Sequence, residues 1–147
     1  MSIREKNTAI VLKIFTVLET RDPQRPNPQS VADLFQPDVE FQWPTSLPYG
    51  GTSRGVKNDG STWLETWSPL QRTEVERKMD PRVVAVSDEE VVVRWRQRGV
   101  STHGNRFDGE VLGLYQIRNS KLVRAQMFYF DTVAVAHFLA QAKAEPT

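Results

Sequence analysis

Two titratable side chains in the second half of the sequence have the chemistry of a proton-transfer site. His103 lies in the segment Gly-Val-Ser-Thr-His-Gly, where a strand pattern meets a turn, and Asp131 closes the run Met-Phe-Tyr-Phe-Asp. Histidine both donates and accepts protons near neutral pH, although a surface-loop histidine with no role fits the same position. Burial behind aromatic rings would suit Asp131 to acid or base chemistry or to orienting a histidine, whereas helix capping is its structural alternative.

Tyr49 is the third candidate because it lies between Pro48 and a pair of glycines. Glycines allow a ligand to approach the backbone closely, so the phenol could donate to a developing oxyanion. A turn tyrosine with no such role is equally consistent with this sequence. Asp108 and Glu110 flank a glycine at a strand start, and we expect at most one of them to enter a pocket.

Large side chains with flat or amphipathic surfaces recur along the predicted elements. They suit a planar or polycyclic ligand, although any one of them could simply fill the core. The predicted ligand-binding set is Trp43, Trp63, Trp67, Trp95, Tyr115, Met127 and Tyr129. In the alternating pattern of residues 73–79, Arg77 falls on the same face as Val75 and Met79, which predicts either a pocket cation or a side chain that reaches solvent.

Several other chemistries fit this sequence poorly. It has no cysteine and two histidines, and neither histidine belongs to a metal-ligand motif, so we expect no metal site and no cofactor. The glycine-rich segment 50–55 lacks the Gly-Lys-Ser/Thr ending of a phosphate loop. No Gly-x-Ser-x-Gly elbow supports a serine hydrolase.

Composition indicates one globular domain over residues 1–147, because 39% apolar content at this length supports a core. The 19 basic and 18 acidic side chains leave a net charge of +1, which argues against nucleic-acid or membrane partners. No apolar stretch approaches the roughly 20 residues that span a bilayer. We therefore expect a soluble protein, and the absence of cysteine fits the cytoplasm.

Helical patterns come first along the chain. Ser2 and Glu5 have the spacing of a capping box before a long helix that ends near Arg21. A shorter helix is predicted from residue 27 through residue 35, and a third around residues 63–67. Residue 132 is expected to cap a last helix over residues 133–142.

Strand patterns dominate the rest of the sequence, since apolar and polar residues alternate with period two. Residues 44–55 are predicted as a loop. The predicted strands cover residues 39–43, 73–79, 81–86, 91–97, 107–117 and 122–130. Helices followed by strands indicate an α+β fold with four or more antiparallel strands.

Four short segments, together with this order of elements, resemble the SnoaL-like polyketide cyclases of the NTF2-like, or ketosteroid isomerase-like, superfamily. They are residues 48–51, 91–95, 99–104 and 128–131, and the resemblance extends from Thr8 to Ala140. It implies an NTF2-like cone, in which N-terminal helices pack on a curved, mostly antiparallel sheet and enclose a pocket. It also implies a homodimer joined through the open face of the sheet.

The resemblance further implies a cofactor-independent isomerase or cyclase that acts by acid/base chemistry on a hydrophobic carbonyl- or epoxide-bearing small molecule. The family's histidine matches His103, and its strand-closing acid matches Asp131. Polyketide cyclases carry a general-base aspartate on the strand after the histidine turn, but residues 111–117 contain no acid. A noncatalytic small-molecule-binding or dimerisation domain of the same fold is therefore the alternative.

Overall fold

The structure is a computed structural model that describes residues 1–20, 33–55, 69–71 and 73–146. The third predicted helix, with Trp63 and Trp67, lies outside these residues. So does the second predicted helix, except for its last three residues.

The first helix, α1, spans Ile3–Thr20 and begins with the predicted capping box. The backbone NH of Glu5 donates to Oγ of Ser2 over 3.1 Å, and the Ser2 hydroxyl donates to the Glu5 carboxylate over 3.2 Å. The first bond gives a partner to a backbone NH that a helix start otherwise leaves unsatisfied, and the second joins the two side chains of the box. The helix buries Val11, Ile14 and Phe15 against the sheet.

One six-stranded sheet forms the body of the molecule, and its strands run in the order β2-β1-β6-β5-β4-β3. The pair β1 and β6 is parallel, whereas every other neighbouring pair is antiparallel. The strands are β1 (Phe35–Trp43), β2 (Gly51–Arg54), β3 (Arg82–Val86), β4 (Glu90–Val100), β5 (Arg106–Arg118) and β6 (Lys121–Tyr129). The predicted α+β fold with a mostly antiparallel sheet is confirmed.

Two differences from the predicted elements concern the edge formed by β1 and β2. Phe35, predicted as the end of a helix, begins β1 because it pairs with Leu122 and is buried against Phe41. The predicted loop contains β2, which pairs with the end of β1. Gly51 enters this hairpin at a φ of +105°, a backbone conformation that favours glycine.

The strand predicted over residues 73–79 is wrong, because the segment contains a one-turn helix, α2, at Glu74–Arg77. The NH of Arg77 donates to the carbonyl of Thr73 over 2.9 Å. Alternation predicted Val75 inside and Glu76 outside, but Val75 is 61% exposed and Glu76 is 3% exposed. Arg77 therefore does not share a strand face with Val75.

The last helix, α3, spans Thr132–Ala144. Its N-cap is Asp131, one residue before the predicted cap, and Oδ1 of Asp131 accepts a hydrogen bond from the NH of Ala134 over 3.0 Å. The apolar side of the helix buries Val135, Phe138 and Leu139. Among the described residues, no helix is long and apolar enough to cross a membrane.

The buried apolar residues that the structure describes form two clusters at opposite ends of the central strands. One cluster lies under α1 and includes Phe15, Trp95 and Tyr115. The other lies under α3, where Phe138 and Leu139 pack against Leu70, and half-buried Tyr49 and Tyr129 border it. The candidate site lies at the second of these ends.

Candidate functional site

A buried polar group lies on the inner face of β4, next to the cluster under α3. The inward positions of β4 begin with Val91, Val93 and Trp95, and the next inward residue is Gln97, which has no exposed surface. The hydroxyl of Tyr49 donates to Oε1 of Gln97 over 3.5 Å. It also lies 2.6 Å from the hydroxyl of Tyr129, so the three side chains form one hydrogen-bonded group.

Both phenols of this group are neutral at physiological pH. Burial raises the pKa of Tyr49 to about 12, although its hydrogen bonds to Tyr129 and Gln97 act in the opposite direction. Burial also raises the pKa of Tyr129 well above its ordinary value, and the neighbouring Tyr49 adds to that rise. Desolvation favours the uncharged phenol, so these groups act as hydrogen-bond donors.

The polar group contains a donor that its own acceptors do not satisfy. Two phenols and one carboxamide supply four N–H and O–H hydrogens in total. Among the described residues, the buried Nε2 atom of Gln97 has no hydrogen-bond partner. Because an unsatisfied buried donor is costly, an acceptor oxygen from a ligand would stabilise this arrangement.

A cleft of ≈ 310 Å³ leads to this group between β5 and the start of α3. It forms because the pairing of β6 with β5 stops at Tyr129 and Val111, after which the chain turns into α3. Gln97 and Tyr129 both line the cleft, together with Phe107, Gly109 and Asp131. The cleft therefore connects the surface with two members of the buried polar group.

The three predicted catalytic residues lie in different environments in the structure. Tyr49 belongs to the buried polar group. Asp131 lines the cleft and caps α3, but it is exposed, so the predicted burial behind the aromatic run is wrong. His103 is an exposed residue of the turn between β4 and β5 and is not among the residues that line this cleft. The geometry thus brings Tyr49 and Asp131 to one region and leaves His103 outside it.

The turn that carries His103 is held by Glu145, which follows α3. The Glu145 carboxylate accepts hydrogen bonds from the Thr102 hydroxyl, the His103 backbone NH and the Asn105 amide, at 2.9, 3.1 and 3.0 Å. Hydrogen bonding, with Ser101 as the largest contributor, lowers the pKa of Glu145 to about 2. This arrangement gives the turn a structural role as a contact with the end of α3.

The predicted ligand-binding aromatics fall into two groups. Trp43 contacts Tyr49 and Tyr129 edge to face, with ring centroids 5.5 and 6.4 Å apart, so it borders the polar group. Trp95 and Tyr115 instead pack edge to face on Phe15 in the core.

Met127 joins the same core, where its sulfur lies 3.7 Å from the Tyr115 hydroxyl. These core positions fit the space-filling alternative. Trp63 and Trp67 lie outside the described residues.

Asp108 and Glu110 share one face of β5 and both border the cleft, which corrects the expectation that at most one of them enters a pocket. Residues i and i+2 of a strand share a face. Arg96 pairs with both acids, at 2.8 Å from Asp108 and 3.1 Å from Glu110. Arg94 also pairs with Glu110.

Gln97 is the main site residue that sequence reasoning missed. Its signal was available, because a polar side chain continues the inward series that Val91, Val93 and Trp95 begin. Buried Glu76, which accepts a hydrogen bond from Arg106 over 3.2 Å, was hidden by the wrong strand prediction. Within the part of the chain that the structure describes, no three potential metal ligands gather.

Comparison with known proteins identifies the family. A family model described as a SnoaL-like domain matches residues 11–125, and the chain belongs to this family. We found no match among curated proteins.

Solved structures share the fold at low identity. TerC, co-crystallised with polyporic acid, has a TM-score of 0.72 and 19% identity, covering 92% of this chain and 98% of that chain. An NTF2-like protein of Burkholderia pseudomallei has a TM-score of 0.70 and 20% identity, covering 95% and 98%. A polyketide-cyclase-like protein of Xanthomonas campestris has a TM-score of 0.68 and 16% identity, covering 96% and 99%. The NTF2-like fold is therefore confirmed.

Proposed function

We propose that the protein is a cofactor-independent isomerase or cyclase that acts by acid/base chemistry on a hydrophobic carbonyl- or epoxide-bearing small molecule. The observation that carries this proposal is the 2.6 Å contact between two half-buried, neutral phenols beside Gln97, whose buried Nε2 has no hydrogen-bond partner among the described residues. Buried donors of fixed orientation stabilise negative charge that develops on a substrate oxygen.

In the proposed reaction, the carbonyl oxygen of the substrate accepts a hydrogen bond from Nε2 of Gln97. Tyr49 and Tyr129 hold the amide in place and add to the donor field around that oxygen. Asp131, which lines the cleft, accepts the proton from the carbon next to the carbonyl, and an enolate forms. In isomerisation, protonated Asp131 returns the proton to another carbon of a conjugated enolate. In ring closure, the enolate carbon attacks a second carbonyl, and the alkoxide that forms takes the proton from Asp131.

Aromatic surroundings support a flat ligand. Trp43 stands edge to face with both tyrosines, so a planar substrate would meet apolar surface next to the donors. The fold is shared with TerC, which was co-crystallised with polyporic acid, and with a polyketide-cyclase-like protein. His103 remains a predicted proton-transfer residue, but its exposed turn offers this role no geometric support.

A noncatalytic ligand-binding domain is the second candidate function. One observation favours it: among the described residues of β4, β5 and β6, the inward-facing positions carry no carboxylate and no imidazole. In such a domain the donors of Gln97 and Tyr49 would bind an acceptor oxygen without any proton transfer.

Turnover assays distinguish the two functions. Aromatic ketones, diketones and epoxides are incubated with the native protein and with Tyr49→Phe, Asp131→Asn and His103→Ala. We expect turnover that falls in the first two variants and persists in the third, with thermal unfolding as the control for folding. Ligand binding without turnover of any compound would support the noncatalytic domain, and loss of turnover in His103→Ala alone would reverse the assignment.

We also propose a cytoplasmic homodimer that binds neither nucleic acid nor membrane. Leu112 and Phe128 are neighbours in register on the outer sheet face and are 39% and 49% exposed, which favours a contact between copies. The net charge of +1 supports the absence of nucleic-acid and membrane partners, and the lack of cysteine in the sequence fits a cytoplasmic location. Light scattering of the native protein and of Phe128→Glu tests the dimer, since a monomeric native protein would contradict it.

A further inference from the structure

Gly109 leaves space for the aromatic ring of Phe107 in the cleft that leads to Gln97. The two residues are paired across β4 and β5, and both line the cleft. A Cβ atom at Gly109 would lie 2.5 Å from Cζ of Phe107. Only glycine therefore lets the Phe107 ring lie over the strand at this position.

The opposite side of the Phe107 ring is held by α3. Phe107 stacks on Phe138, with centroids 5.5 Å apart and an interplanar angle of 27°. Phe138 in turn occupies space that another glycine provides, since a Cβ atom at Gly99 would lie 2.7 Å from Cε1 of Phe138. Because Phe138 bounds the Phe107 ring on the α3 side and the cleft is open on the other, we expect a ring displaced from Gly109 to move toward the cleft.

We infer that Phe107 and Gly109 determine the size of the ligand that reaches Gln97 through the cleft. This inference rests on the proposed function, in which Gln97 binds the carbonyl oxygen. The cleft of ≈ 310 Å³ is at the lower end of the range for small-molecule sites, roughly 300–1,000 Å³. The walls of the cleft thus discriminate between ligands that have a single ring and ligands that have two fused rings.

The test measures binding of acetophenone and 2-acetonaphthone, two aryl ketones that differ by one fused ring, by ligand-observed NMR. We expect the native protein to prefer acetophenone and Phe107→Ala to gain roughly tenfold in affinity for 2-acetonaphthone. Gly109→Ala is expected to lose affinity for acetophenone roughly tenfold. In the Phe107→Ala background, Gly109→Ala should have no effect, because no ring remains to be displaced.

Controls separate this size effect from unfolding. Arg118→Gln, on the exposed end of β5, should leave both affinities unchanged. Phe107→Leu keeps an apolar side chain against α3 and should change the ring-size preference in the same direction by a smaller factor. Thermal unfolding of every variant establishes that folded proteins are compared.

Two results would overturn the inference: an unchanged ring-size preference in Phe107→Ala, or an equal loss from Gly109→Ala in both backgrounds. If Gln97→Met weakens ketone binding while the ring-size preference does not respond to Phe107, the inference fails and the proposed function stands. If the preference responds to Phe107 but the native protein turns over none of the ketones, diketones and epoxides, the proposed function fails and the inference stands. A native protein that binds neither ketone up to the solubility limit contradicts both.

Discussion

The central strands have two ends that differ in what their inward side chains do. Under α1, Trp95 and Tyr115 pack against Phe15 in a closed core. Two residues further along β4, Gln97 begins a region of buried polar atoms, glycines and open volume. The same alternation and strand pairing build both ends, so the difference lies in which residue types occupy the inward positions.

Each end has the energetics that its role requires. Burial of large apolar side chains stabilises the fold, whereas a buried amide with an unpartnered NH₂ costs free energy. Gly99 and Gly109 add no packing of their own and leave space for rings and for the cleft. The end under α1 therefore supplies stability mainly through apolar packing, whereas the amide at the other end lies where an acceptor oxygen of a ligand in the cleft would satisfy it.

The largest expected effect separates the two ends by stability. Trp95→Ala removes a side chain that is 1% exposed and should lower the free energy of unfolding by about 3–5 kcal/mol. Gln97→Met removes the buried amide at similar volume and should cost under about 1.5 kcal/mol, or stabilise. Denaturant unfolding of both variants measures this, and equal losses would contradict the division of roles.

Tyr49→Phe should have the second largest effect, which we expect to be a loss of ligand affinity. Loss of the hydroxyl removes the hydrogen bond to Tyr129 and loosens the hold on Gln97. We expect acetophenone affinity to fall roughly tenfold, equivalent to about 1.4 kcal/mol. Titration followed by NMR checks this, with Arg118→Gln as the control, and unchanged affinity would remove Tyr49 from the site.

Asp131 has two roles that a pair of substitutions separates. Asp131→Ala removes the N-cap of α3 and should lower the free energy of unfolding by about 1 kcal/mol, whereas Asp131→Asn retains a capping side chain. If the carboxylate accepts the proton, both variants lose turnover. Turnover by Asp131→Asn at the native rate would leave capping as the only supported role.

The smallest expected effect concerns the turn that holds His103. The pKa of Glu145 is lowered to about 2, so its hydrogen bonds contribute stability above the unfolded-state value near 4.3. That contribution is lost as the pH falls through about 2, because protonation then removes the charged acceptor. Over this pH interval, the native protein should lose stability relative to Glu145→Gln, as measured by thermal unfolding. If the unfolding temperatures of the two proteins change with pH in parallel, the proposed stabilisation of the turn by the Glu145 carboxylate is wrong.

The sequence allowed most of the sheet to be predicted, because each long strand repeats its alternation many times. The same alternation failed at residues 73–79, where a single turn of helix buries Glu76 and the short pattern was too weak to decide. It also places Gln97 inside, although this consequence was overlooked.

The candidate site was harder to predict than the strands. Tyr49 and Tyr129 are 80 residues apart, and no local pattern reveals their 2.6 Å contact. The position of His103 on an exposed turn likewise depends on Glu145, which lies 42 residues later. The period-two alternation along a strand shows which of its residues lie on the same face of the sheet. Contacts between a loop and a strand far away in the sequence are set only when the chain has folded.

The central claim is that the polar end of these strands binds a carbonyl oxygen through Gln97. Infrared spectroscopy of acetophenone labelled with ¹³C at the carbonyl tests it directly, because hydrogen bonding lowers the carbonyl stretching frequency. The account predicts a lower frequency for the ketone bound to the native protein than for the ketone bound to Gln97→Met, with Tyr49→Phe between them. Identical frequencies in all three proteins would contradict it.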